Sequence, residues 1–180
     1  LLTGTILSAA CSALISLMLS IAPEGRLRTM VFWMIGDLSG APLRWLPWIV
    51  LAGGLAFALR TARSMNVLAL HAEAASTLGI RVGALRKGLF FCSGLLTASA
   101  VTTAGSIGFV GLIVPHACRF AFGPDHRLLI PAATLAGGAY LVLADTLART
   151  VIAPQQLPVG VVTALIGTPV FLYQLHRLRK

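Results

Sequence analysis

Apolar residues run along this chain in long unbroken stretches, and the charged residues collect in the short segments between them. Residues 1–23 carry no charge; at about 1.5 Å per helical residue they are long enough for one membrane span. Gly4, Ser8, Ala9 and Ser12 give that stretch the small residues that suit close helix packing. Residues 24–42 mix Phe32 and Trp33 with Gly36, Asp37 and Gly40, which predicts an interfacial helix and a turn, not a full span. Residues 44–60 predict a second span, with Trp45 and Trp48 at its start in an aromatic belt. Residues 60–87 hold five of the 14 basic residues. They predict a short surface helix, capped by Ser64 or Asn66 and ended by Gly79, then a second short turn near Val82.

Residues 88–118 form 31 positions without a formal charge. One helix of that length would measure about 46 Å against a hydrocarbon core of about 30 Å, so the stretch must break. The break belongs near Ala104-Gly105-Ser106, where "GSIGFVGLIVPH" begins and the glycines mark a reversal between two spans. Residues 128–148 predict the next span, with Gly137-Gly138 allowing close approach. The last span, from Leu157, has Pro158 near its start and Pro169 inside it, and is expected to kink or unwind there. The pattern predicts an all-α, polytopic membrane protein with six spans in one domain, residues 1–180, with no repeat and no linker.

Composition agrees. The chain is 57% hydrophobic and 11% charged, where a soluble domain carries about 25% charged residues. Mean hydropathy is +0.90. The net charge of +9 would suggest nucleic acid in a soluble protein. Here the basic residues flank apolar segments, so the charge reads as membrane topology, and nucleic-acid binding is excluded. Placing the 60–87 and 119–127 loops and the C-terminus inside puts ten basic residues in the cytoplasm and leaves Arg26, Arg28, Arg44 and Arg149 outside. Cys11, Cys92 and Cys118 lie in or beside apolar segments and read as packing residues. The chain starts within an apolar stretch, which is the pattern expected of the C-terminal part of a longer protein.

The candidate chemistry is sparse. No nucleophile elbow, metalloprotease helix or phosphate-binding loop is present. His71, His116, His126 and His176 are scattered, and no metal site or cofactor is expected. Asp145 is the one intramembrane acid, and Arg149 lies one turn on along the same helix face, as a local ion pair or as a docking contact for an acidic partner. Glu73 is the sole acid in the basic 60–87 loop, either solvated or a docking contact. An ion-coupled secondary transporter would need several membrane-embedded acids, and an intramembrane protease a catalytic pair or metal triad. The sequence offers neither.

Several stretches, in order, resemble the permease family of iron-chelate (siderophore and haem) and cobalamin ABC importers: "FWMIGDLSG", "EAASTLGIRVGALR", "GSIGFVGLIVPHACR", "GPDHRLLIPAATLAGG", "LADTLAR" and "LPVGVVTALIGTPVFLYQL". The resemblance covers nearly the whole chain. It implies a ten-span permease of the bacterial inner membrane, of which this chain would be the last six spans. Such a permease works as a homodimer in the lipid bilayer, with a separate ABC ATPase and a periplasmic substrate-binding protein. Residues 65–85 would be the coupling helices against the ATPase, with Glu73, Ala74, Leu78, Gly79 and Arg81 matching the motif. Residues 29–40 would be the short helix at the outer mouth, and Arg149 would pair with a glutamate of the binding protein. Gly36, Gly108, Gly111, Pro115 and Asp145 are the expected pathway and gating positions, and the "GSIGFVGLIVPH" stretch is expected to pack against its neighbours at the reversal and let its helix shift, so that a bulky residue at Gly108 or Gly111 would block transport without blocking insertion. The family commonly reads Glu-Leu-Pro where this chain has Gln156-Leu157-Pro158, which removes an acidic contact expected there. The motifs are shared by ferric siderophore, haem and cobalamin permeases alike.

Overall fold

The computed structural model describes residues 2–38, 45–70 and 72–178, with the side chains of residues 70, 72–74, 173–175 and 177–178 outside the description. Eight helices follow one another: α1 (Leu2–Ile21), α2 (Glu24–Ile35), α3 (Trp45–Leu70), α4 (Ala72–Thr77), α5 (Val82–Ala104), α6 (Val110–Phe122), α7 (His126–Thr150) and α8 (Val159–Leu178). Among the described residues there is no strand. The protein is an all-helical membrane protein, as the hydropathy pattern requires. Each of the six predicted apolar segments carries a helix. Three of these, α1, α3 over Trp45–Ala69, and α7, are long and apolar enough to cross a bilayer on their own, while α6 and Val159–Leu172 of α8 are apolar but shorter.

Some boundaries differ from the sequence expectation. The second span does not stop at Arg60: α3 runs on for 26 residues to Leu70. Charge at Arg60 and Arg63 ends a hydropathic run but does not by itself end a helix, and "RTARSMNVLAL" has neither Gly nor Pro to break it. The surface helix is consequently only the six residues of α4. Gly79 ends it as expected, at φ +79, with its N–H donating to Ser76 O at 3.0 Å and Ile80 N–H to Ala75 O at 3.0 Å. The second short turn near Val82 is instead the start of α5, which continues for 23 residues to the predicted break after Ala104. The helix α8 stays helical through Pro169, so no local unwinding occurs there.

The bundle is organised around α7, which packs against α3, α6 and α8, while α5 lies on α3. Glycine notches set the α3–α5 seam. A Cβ on Gly54 would stand 2.8 Å from the Leu96 side chain, and one on Gly88 would stand 3.0 Å from Phe57. The α7–α8 core is built from small residues, Ala144, Ala148, Val159 and Val162, with Leu38, Ile107 and Leu157 packed around them. A second cluster joins α6 to α7 through Val114, Cys118 and Leu129. Small residues at crossings let backbones approach, which is how helices gain packing energy where lipid removes the hydrophobic drive between them. The outer faces are correspondingly greasy: α1 buries no residue, and Leu2, Phe90, Leu135 and Leu165 are each 70% exposed or more.

The segment after α5 runs from the Thr150 end of α7 into the depth of the bundle. Val110, the first residue of α6, faces Gly137, which is midway along α7. The 13 residues of α6 extend only about 20 Å, so this helix starts near half-depth. Irregular backbone at that depth is tolerated when protein surrounds it. Gly105 is buried against the end of α2, and Ile107 and Phe109 are half-buried against α8, while Ser106 and Gly108 are exposed on this chain.

Candidate functional site

The functional candidates fall at the two ends of α7. At the end near Thr150, three chain segments are tied by backbone hydrogen bonds. Asp37 N–H donates to Ala104 O at 3.0 Å, and Gly160 N–H donates to Gly36 O at 3.2 Å. The strand-like exit of α2 is thereby bonded to the end of α5 on one side and the start of α8 on the other. Three glycines permit it. Gly36 sits at φ +100 with a virtual Cβ 2.7 Å from Ile107 Cγ1; a Cβ on Gly105, at φ +72, would strike the Trp33 carbonyl, and one on Gly160 the Ile35 carbonyl. Gly36 thus occupies the junction where α2 ends.

At the reversal, the glycines under steric pressure within this chain are Gly105 and, on α8, Gly167. Within this chain, the space beside Gly108 and Gly111 is open, and neither has positive φ. The steric pressure falls instead on Gly105 and on Gly167 of α8, where a Cβ would stand 2.6 Å from Phe109 Cβ. Phe109 itself takes φ +68, an uncommon value for a residue with a Cβ, and begins α6 by fitting into the Gly167 notch. Spacing alone could not distinguish these glycines, because the contacts come from α2 and α8. Pro115 is half-buried inside α6, which stays helical across it.

Asp145 and Arg149 form the local pair: Arg149 Nε donates to Asp145 Oδ2 at 2.8 Å, with the side chains 26% and 41% exposed, respectively. The Asp37 carboxylate adds to the negative field at Arg149. An ion-coupled carrier would need Asp145 available for its ion, and here a cation already holds it.

At the other end of α7 lie α4 and the basic loops. Leu78, just past α4, is 70% exposed, and Arg81 is exposed at the start of α5. Glu73 and Ala74 lie on α4, and their side chains are outside the description. Asn66 does cap a helix, but not its own: its Oδ1 accepts the His126 backbone N–H at 2.9 Å, at the start of α7. That partner is 60 residues away, and only the "GPDH" turn, with Asp125 placed to cap α7, hinted at a polar node here. No group of three or more His, Cys, Asp or Glu side chains suited to a metal ion occurs among the described residues.

A multi-span helical bundle with the short α4 and an exposed Leu78 at its basic end, and an ion-paired arginine and a backbone-tied junction at the other, has the build of a transporter's membrane subunit. The FecCD transport family model matches residues 1–177, and the chain belongs to that family. It is 45% identical to the cobalamin import system permease protein BtuC of Halobacterium salinarum, over 98% of this chain and 47% of that protein. It is 39% identical to the hemin transport system permease protein HmuU of Yersinia pestis, over 100% of this chain and 54% of that protein. The vitamin B12 import system permease protein BtuC of Escherichia coli is 38% identical, over 100% of this chain and 56% of that protein. A solved structure described as an inward-facing conformation of a metal-chelate type ABC transporter superposes with a TM-score of 0.88 at 35% identity, covering 98% of this chain and 58% of that one. The chain spans about half the length of the curated relatives it matches.

Proposed function

We propose that this chain is part of the permease subunit of a binding-protein-dependent ABC importer, moving a ferric siderophore, haem or cobalamin across the bacterial inner membrane. In this reading the permease is a non-catalytic homodimer. A separate ABC ATPase hydrolyses ATP, and a periplasmic binding protein delivers substrate. The carrying observation is the family match over residues 1–177, and the arrangement along α7 supports it, with α4 and an exposed Leu78 at the basic end and Arg149 near the glycine junction at the far end. Residues 65–85 include the ATPase contact, with Glu73, Ala74, Leu78, Gly79 and Arg81 at its surface. An apolar side chain as exposed as Leu78, at a basic membrane edge, is suited to a pocket on a partner protein. Arg149 takes a carboxylate of the binding protein. Gly36, Gly108, Gly111, Pro115 and Asp145 belong to the pathway and its gate.

The test is co-expression of the full-length permease with its ATPase. Glu73→Arg and Leu78→Asp change exposed or charged positions and leave the bundle intact. Both variants are expected to insert normally, to lose co-purification with the ATPase and to lose uptake of cobalamin, haem or siderophore, whichever the wild type carries. Variants that bind the ATPase as the wild type does would overturn the assignment of residues 65–85.

A further inference from the structure

The coupling segment is joined to the membrane bundle by more than the chain itself. About one turn before α3 ends, the side chain of Asn66 bridges to the start of α7. Its Nδ2 donates to Asp125 Oδ1 at 2.6 Å. Its Oδ1 accepts from the His126 backbone N–H at 2.9 Å and pairs with His126 Nδ1 at 2.6 Å. Chemistry fixes the direction of this amide. A backbone N–H can only donate and a carboxylate can only accept, so the flipped amide would set donor against donor and acceptor against acceptor. The same logic puts a proton on His126 Nδ1, since Asn66 Oδ1 only accepts. Asp125 in turn caps α7 by accepting Arg127 N–H at 2.9 Å. Two of the orphan N–H groups at the start of α7 are therefore satisfied, one by its own cap and one by a side chain of α3.

The placement gives the node a mechanical meaning. On one side of Asn66, α3 has a single turn left before α4 begins at Ala72. On the other side, α7 runs 25 residues to the end that carries Arg149. Without the node, the last turn of α3, where Val67 and Leu68 are half-buried, would have no side-chain hydrogen bond from Asn66 to α7, and a push on α4 could be absorbed by bending it. With it, the end of α3 and the start of α7 share three hydrogen bonds and must shift together. We propose that Asn66 is a positioning residue of the coupling machinery, clamping the coupling segment to α7 so that movement at the ATPase surface is delivered to the length of that helix. The inference rests on the reading of residues 65–85 as the ATPase contact.

The experiment uses the full-length permease with its ATPase and binding protein in proteoliposomes, with substrate uptake and ATP hydrolysis measured in the same vesicles. Asn66→Ala removes every arm of the node. His126→Ala removes the ring and keeps the backbone N–H. In Asn66→Ala, uptake per ATP hydrolysed is expected to fall about tenfold, within the range over which contact networks alter coupling. His126→Ala is expected to show a smaller loss of the same kind. If Asn66→Ala does not accumulate, Asn66→Ser and His126→Ala carry the test by the same ratio. Unchanged uptake per ATP, or a parallel decline of both activities in every variant, overturns the proposal and leaves Asn66 as a purely structural cap. A wild-type permease that neither binds nor stimulates an ATPase removes the coupling reading itself, and the clamp with it. Tight coupling in the wild type together with tight coupling in the variants removes the clamp alone.

Discussion

Gly105 and Gly108 stand three positions apart in one apolar loop, and their surroundings assign them opposite tolerances. Gly105 combines φ +72 with the Trp33 carbonyl directly in the path of a Cβ, whereas nothing lies within 4 Å of a Cβ at Gly108. A residue forced into such a backbone region costs about 1–3 kcal/mol before the clash is counted. Gly105→Ala is therefore expected to lower the melting temperature of the purified full-length permease by several degrees, and Gly108→Ala to leave it nearly unchanged. Equal melting of the two variants would show that the α2 contact is not formed. A transport defect from a bulky Gly108→Leu, if folding is intact, would report a surface that moves or meets another subunit. The residue scale is also where the sequence was least legible. That glycines marked the reversal was readable from length and hydropathy. Which of them bore steric pressure was not, because the atoms opposing Gly105 belong to Trp33 and Gly36, far away in the chain.

At the scale of elements, helix ends set by backbone chemistry were legible, and helix ends inferred from charge were not. Gly79 and Gly105 terminate α4 and α5 where the sequence places a residue free to adopt positive φ. Arg60 and Arg63 terminate nothing, since a cation costs a helix little once the helix has left the hydrocarbon. The continuity of α3 carries its own prediction. Proline in a helix interior costs about 3 kcal/mol or more and cuts the ladder, whereas a surface loop would accept it. Arg63→Pro is expected to reduce accumulation of the permease and abolish ATPase co-purification, measured by pull-down from membranes. Wild-type levels of both would return residues 60–70 to the status of a loop. The node at Asn66 was invisible at this scale because a capping side chain normally serves the helix it precedes, and this one serves a helix 60 residues on.

For the whole molecule, the arrangement of charge and of helices agree. The Asn66–Asp125–His126 node gathers the 60–87 and 119–127 regions at one end of α7, while the α2 exit, Asp145, Arg149 and the start of α8 gather at the other. These are the two groups that the distribution of basic residues assigns to opposite sides of the membrane. In a cysteine-free background of the full-length permease, Ser76→Cys is expected to react with a membrane-impermeant maleimide only in inverted vesicles, and Thr150→Cys only in right-side-out spheroplasts. Labelling of both from the same face would refute the orientation. The hydropathy pattern was sufficient for this level because lipid leaves a chain few alternatives to apolar helices. It could not register that α6 starts near half-depth, since a short helix and a spanning one have the same composition.

The glycine junction also has a use. Its bonds are made by main-chain atoms, so the side chains around it can be exchanged without removing the donors or acceptors. The amides of Asp37 and Gly160 lie outside regular helical bonding yet are held by carbonyls of neighbouring segments. In hydrogen–deuterium exchange those two amides act as a paired clock. While α2, α5 and α8 stay joined, both exchange slowly. Each parting of the segments releases both at once, which makes the rate at which α2, α5 and α8 come apart readable without any label attached to them.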